Sequence, residues 1–174
     1  MKKLLWVIAV ILLFTACGNK NTDTAYTHTE ENNTVTEQKQ IKEITLYYSE
    51  DNASYLVPEL REIPGDKADD AEYILNELIK GSKDAKLVNA VPEDTRVISC
   101  TVENGICTVN LSKEFLEKNG TASERMAIYS IVNTMCSIDG VEKVQFLIDG
   151  EKVMIFGSYI FDEPFEADMS IVQE

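Results

Sequence analysis

Histidine is nearly missing from this chain of 174 residues: the single one, His28, lies in a stretch of Thr, Asn, Glu and Gln without apolar periodicity. A segment of that kind cannot hold a partner in place, which excludes a His-dependent triad and a His-ligated zinc site from the folded part. The G-x-S-x-G, P-loop and H-E-x-x-H patterns are also missing, removing the commonest hydrolase, nucleotide and zinc-protease templates. Basic residues are few, 16 Lys plus Arg against 30 Asp plus Glu, and the net charge of -14 repels a phosphate backbone, so no nucleic acid partner is expected. Only 8 Gly and 4 Pro accompany 44% hydrophobic residues, which excludes collagen-like and low-complexity chains. No apolar run approaches the roughly 20 residues that a membrane-spanning helix needs.

What is present begins at the N-terminus. Met1-Lys2-Lys3 is a basic start, and Leu4 to Phe14 is an unbroken apolar run ending in Thr15-Ala16-Cys17-Gly18. Such a run makes about 16 Å of helix, half of a roughly 30 Å hydrocarbon core, so it reads as a cleaved signal peptide over residues 1–16. The small Ala16 before Cys17 resembles a bacterial lipobox, with Phe14 standing where that pattern prefers Leu, Val or Ile. The resemblance implies that the Cys17 thiol takes a diacylglycerol and becomes the new N-terminus, anchored on the extracytoplasmic face of the cell membrane by its acyl chains. From Gly18 to Gln40, fifteen residues are Thr, Asn, Glu or Gln, a composition that cannot bury a core, and 17–40 reads as a tether with a mean span of roughly 25 Å.

Residues 41–174 carry the folded domain. Ile44, Leu46 and Tyr48 alternate as a strand, and Tyr55 to Ile63 follows as a second, in which Pro58 argues for a sheet edge. Gly65-Asp66 opens a helix to Lys80 with Asp66 as its cap, Ala71, Ile74, Leu75 and Leu78 on one face, and Gly81 as its stop. Asn104-Gly105 between two alternating runs predicts a tight hairpin that puts Ile98, Cys100, Val102, Cys107, Val109 and Leu111 on one buried side. Ser112 caps a short helix. Thr121-Ala122-Ser123-Glu124 reads as a capping box for a second long helix with a stripe of Ile128, Ile131, Val132 and Met135. Val141 to Ile148 turns at Asp149-Gly150 and returns through Val153 and Ile155 as a second hairpin, and the acidic end after Phe161 reads as a solvated tail. The order predicts an α+β fold: a small, mainly antiparallel β-sheet with two main helices on one face and the other face open.

With Cys17 lipidated, Cys100, Cys107 and Cys136 remain, an odd number for an exported chain. The hairpin register makes Cys100 and Cys107 diagonal neighbours. The residues favour buried free thiols, with a Cys100–Cys107 bridge or a bridge to Cys136 as the alternatives. No metal site and no cofactor follow from C-x6-C spacing. Glu59, Glu93, Asp94, Asp139 and Asp149 could include an acid pair for glycoside cleavage, but their places beside turns and on polar strand faces make solvated carboxylates the expectation, and no residue is assigned as catalytic.

These segments resemble the GerMN domain family of spore germination and sporulation lipoproteins. The resemblance rests on Leu46-Tyr47-Tyr48, the run from Leu56 to Arg61, Leu75 through Gly81, Val91-Pro92 with Thr95, the run from Val109 to Ser112, the run from Ile131 to Thr134, and Val144-Gln145-Phe146 before Asp149-Gly150. Ser82 and Asp94 stand where the family usually has proline and glycine, and one copy is present where the sporulation protein has two. The resemblance implies a domain related to ring-building motifs, no enzyme activity and no site residues beyond the lipidated Cys17. It further implies a scaffold or interaction lipoprotein of the cell or spore envelope, with envelope or sporulation proteins, or further copies of itself, as partners. A lipoprotein that binds or hydrolyses peptidoglycan is the alternative.

Overall fold

The computed structural model describes residues 40–117 and 120–173, all within a unit spanning 37–174. The signal segment, Cys17, His28 and the tether lie outside the described residues. The chain forms β1 (Ile41–Glu50), β2 (Leu56–Pro64), α1 (Ala71–Ile79), β3 (Leu87–Val88), β4 (Val97–Glu103), β5 (Ile106–Leu111), α2 (Thr121–Cys136), β6 (Lys143–Ile148), β7 (Ile155–Phe156), β8 (Tyr159–Ile160) and β9 (Phe165–Glu166). The fold is α+β, as expected. The strands divide into a three-stranded sheet ordered β2-β1-β3, a four-stranded sheet ordered β4-β5-β6-β9, and the β7-β8 ribbon.

Among the described residues every strand pair is antiparallel except β5 with β6. Parallel strands need a long crossover, and α2 supplies it. This helix touches β1 of the first sheet and β6 and β9 of the second, so it is buried on nearly every side, including Ser130, Asn133 and Thr134. Helix α1 packs on β4, α2 and β1 through Ala71, Ile74, Leu75 and Leu78, the four residues its spacing predicts. Leu46 and Tyr48 from the first sheet meet Cys107, Val109, Val144 and Phe146 from the second in one core.

Several local expectations are corrected. The first helix does not start at Asp66: a 3-10 turn occupies Gly65–Lys67, and the cap is Asp70, whose carboxylate accepts from the Tyr73 N–H at 3.0 Å. No capping box forms at Thr121, because the helix already includes it. Gly120, at φ +98°, is the cap, and Glu124 turns inward and is buried.

The Asn104-Gly105 turn forms with both residues at positive φ, and Cys100 lies opposite Val109 and Val102 opposite Cys107, as the register predicts. A bulge between Val97 and Ser99 nevertheless breaks the alternation, which turns Ile98 to solvent and Val97 toward the core. Val102, at the outer end, is also exposed. Pro58 sits on an edge strand as expected.

The second hairpin stops after its turn. Asp149-Gly150 closes with Ile148 and Glu151 exchanging backbone bonds of 2.8 and 3.0 Å. The turn is pinned to β5 by Asp149 N–H to the Leu111 carbonyl and Gly150 N–H to Asn110 Oδ1, both 2.9 Å. The free edge of β6 is then taken by β9, with Val144 opposite Phe165. The acidic end is therefore no solvated tail. Phe161 and Ile171 are buried, Asp168 pairs with Arg125 at 2.8 Å, and the Gln173 N–H donates to the Leu56 carbonyl at 2.8 Å. Apolar rings in this segment decide its place, because burying a phenylalanine stabilises by about 2–3 kcal/mol while carboxylates that stay in water incur no desolvation cost.

Candidate functional site

The run from Leu56 to Arg61 explains itself once folded. Arg61, on β2, is only 4% exposed, and an arginine so placed needs partners for its donors. Its guanidinium pairs with Glu59, reaches the Glu77 carbonyl at 2.8 Å and the Gly81 carbonyl at 2.9 Å, and has the Glu77 carboxylate at 3.6 Å. Glu59 also accepts from the Ser82 hydroxyl and from the Lys83 N–H at 2.9 Å. Burial alone would raise the Glu59 pKa, but the bonds from Ser82, Arg61 and Lys83 outweigh it and hold the carboxyl below its ordinary value. The Tyr48 hydroxyl donates into the same helix end, 3.0 Å from the Gly81 carbonyl, and burial pushes its pKa up to about 12. The cluster ties β1 and β2 to the C-terminus of α1. The buried Arg61 Nε is left without a partner among the described residues, but the two terminal nitrogens and the Glu59 carboxylate are engaged within the fold, so the cluster acts as a fastening.

Three other polar motif residues act alike, whereas the buried Thr95 hydroxyl has no partner among the described residues. Thr134 Oγ1 accepts from the Tyr47 N–H at 3.1 Å while the Ser130 hydroxyl donates to the Tyr47 carbonyl, so one turn of α2 covers the edge of β1 beyond β3. Asn133 exchanges two 3.0 Å bonds with the backbone of Asp168. Gln145 donates to the Phe161 carbonyl at 3.0 Å.

No acid pair is assembled from the carboxylates singled out in the sequence. Glu59 belongs to the Arg61 cluster, a correction to its reading as solvated, while Glu93 and Asp94 are exposed in one turn and Asp139 and Asp149 in two others. Among the described residues, no group of three metal-ligating side chains occurs and no helix is long and apolar enough to cross a membrane.

The surface expected to bind partners is smaller than an open sheet face. Tyr47 and Leu56 are covered by Met126 and Ile171, leaving Ile41 and Leu60 exposed farther along β1 and β2. Ile98 and Val102 on edge strand β4, and Met154, Ile155 and Ile160 around the β7-β8 ribbon, are also exposed, as are Tyr55, Val88 and Met169.

Among the described residues the thiols of Cys100, Cys107 and Cys136 are free. Cys100 and Cys107 have their sulfurs 3.3 Å apart. The contact with Cys107, and burial after it, raise the Cys100 pKa, and the same contact lowers that of Cys107. Cys136 stands apart, its thiol 3.5 Å from the Glu142 carbonyl and pushed up to about 11 by burial. Beside Cys100 lies an open cleft of about 440 Å³ lined by Asp70, Glu72, Tyr73 and Asn76. The hairpin register foretells the thiol contact; the cleft comes from α1 packing across β4, which no local pattern announces.

Comparison with known proteins gives a consistent answer. A family model described as Germane, sporulation and spore germination, matches residues 45–154. Among solved structures, a Clostridium perfringens protein described as a candidate lipoprotein is 25% identical with a TM-score of 0.54, over 73% of this chain and 87% of that one. The tandem GerMN domains of the Bacillus subtilis sporulation protein GerM align at 24% identity and a TM-score of 0.64, over 82% of this chain, which spans about half (51%) of theirs. The first GerMN domain alone gives 20% identity and a TM-score of 0.54, over 73% of this chain and 96% of that one. No curated protein matches the chain.

Proposed function

Because the chain belongs to the Germane family of sporulation and spore germination domains, we propose that it is a membrane-anchored, non-enzymatic scaffold or interaction module of the cell or spore envelope. Residues 1–16 are its signal peptide, Cys17 carries the lipid, 17–40 is the tether and 41–174 the interacting domain. The likeness to a candidate lipoprotein from Clostridium perfringens supports the anchor.

The observation that carries the reading is the employment of the family's polar residues. Arg61, Asn110, Asn133, Thr134 and Gln145 all hold backbone atoms of this chain, so polar residues on which the resemblance rests are employed in building the body, which supports the non-enzymatic reading. Function then falls to surfaces, and the exposed apolar residues of β2 and β4 give a partner something to cover.

Crosslinking of the chain in living cells, followed by identification of what it holds, tests this. Envelope assembly proteins or further copies of the chain are expected, and the Cys17→Ala variant is expected to leave the membrane fraction. Cleavage of muropeptides by the purified chain, or full membrane retention of Cys17→Ala, would overturn the corresponding half of the proposal.

A further inference from the structure

The thiol pair of the β4-β5 hairpin has no part in the scaffold reading, yet its geometry is reactive. Cys100 and Cys107 are diagonal neighbours with sulfurs 3.3 Å apart, and a disulfide needs about 2.05 Å, so a relative motion of roughly one ångström closes the bond. Among the described strands β4 lies at the edge of its sheet and pairs with β5 alone, so no second neighbouring strand fixes its register. The two sulfurs differ in access: Cys107 is fully buried, whereas Cys100 is half-buried and forms part of the wall of the 440 Å³ cleft. A reagent entering the cleft therefore meets Cys100 first.

We propose that Cys100 and Cys107 are a thiol–disulfide modification site, closed into an intramolecular disulfide by low-molecular-weight disulfides that enter the cleft between α1 and β4. Cys100, the thiol that reaches the cleft, gives up its proton as its sulfur attacks one sulfur of the small disulfide, forming a mixed disulfide and expelling a thiolate that takes that proton. The Cys107 thiolate then attacks the Cys100 sulfur, forms the Cys100–Cys107 bond and expels the second thiolate. The protein dithiol loses two electrons and two protons, and the small disulfide gains both to leave as two thiols. Cys107, with its sulfur 3.3 Å from that of Cys100, is placed for the resolving step.

The cleft also selects. Asp70 and Glu72 line it, and both carboxylates act on Cys100. Lys67 offsets Asp70 at 2.8 Å, which leaves Glu72 as the less compensated charge. A cationic disulfide is drawn in and an anionic one repelled, a preference of roughly tenfold in rate at low salt that weakens as salt screens it.

The test uses the reduced full-length chain, with cystamine as the cationic probe and oxidised glutathione as the anionic one. After acid quenching, free thiols are alkylated and peptides are mapped by mass spectrometry, the Cys17 peptide separately. The expected result is a Cys100–Cys107 linkage with Cys136 still alkylated, formed faster with cystamine, the advantage shrinking in high salt and in Glu72→Gln. The Cys107→Ser variant should accumulate the mixed disulfide at Cys100, and Cys136→Ser should behave as the parent. Both thiols remaining alkylatable, linkage of Cys107 to Cys136, or a mixed disulfide that never resolves overturns the site, and equal rates for the two probes overturn entry through the cleft. The linkage map of the unaltered chain decides the matter even if a variant does not fold. The outcome is independent of whether Cys17 is acylated.

Discussion

The three-stranded sheet is fastened by polar groups and the four-stranded sheet by rings. Around β1 and β2, Arg61, Glu59, Ser82, Tyr48, Ser130 and Thr134 each place a donor or acceptor on a particular atom. Around β6 and β9, Phe146 packs against Phe115, Phe161 and Phe165 with centroids 5.8, 5.0 and 5.7 Å apart, and Phe156 joins through Phe115 and Phe161. Hydrogen-bonded charge is directional, so loss of one member strands the others without water. Ring packing is an area effect, so loss of part of a ring costs in proportion. One region should fail abruptly on mutation and the other by degrees.

The largest effect tests the abrupt side. Arg61→Ala leaves Glu59 and two carbonyls facing an empty buried space and should cost about 4 kcal/mol, read from urea unfolding midpoints. Arg61→Lys should recover less than half, since one ammonium cannot reproduce the fork. A cost near zero would remove the distinction between the two regions.

On the graded side, Phe146→Leu should cost about 1.5 kcal/mol, well short of the roughly 3–5 kcal/mol of removing the whole ring in Phe146→Ala. Equal losses for the two variants would mean that the rings form an all-or-none lock and not an area-dependent core.

The smallest effect is electrostatic. Asp70 is held below its ordinary pKa by the bond from Lys67 and then by the Tyr73 N–H, and Glu59 and Asp168 are also lowered. Carboxyls depressed in the folded state stabilise it above their unfolded pKa, and the gain is lost as pH falls through the folded value. Stability should therefore decline from about pH 6 to about pH 3. Asp70→Asn keeps a capping oxygen, costs about 0.5 kcal/mol at neutral pH, and should flatten part of that decline. An unchanged slope would show that the Asp70 charge contributes nothing to the acid limb.

The same contrast governs what could be read from the chain in advance. Period and turn chemistry are local, so the α1 stripe, the Asn104-Gly105 register and the edge position of Pro58 were legible. The polar fastenings join residues far apart in sequence, such as Arg61 with Gly81 or Tyr47 with Thr134, and nothing around either partner reveals the other. The parallel β5-β6 pair had a usable signal, a long helix between two short strands. It was obscured because Asp149-Gly150 pointed to a local hairpin. At the acidic end, counting charge hid Phe161 and Phe165. Of the candidate site, the thiol contact followed from register, whereas the cleft that opens onto Cys100 depended on tertiary packing.

The hydroxyls of Ser130 and Thr134 have a wider consequence. By gripping Tyr47 where a further strand would otherwise dock, α2 denies foreign chains a template along the middle of β1. A polypeptide seeking to grow a fibre from this sheet must first peel away the most deeply buried helix of the domain, so seeding from that side is tied to global unfolding.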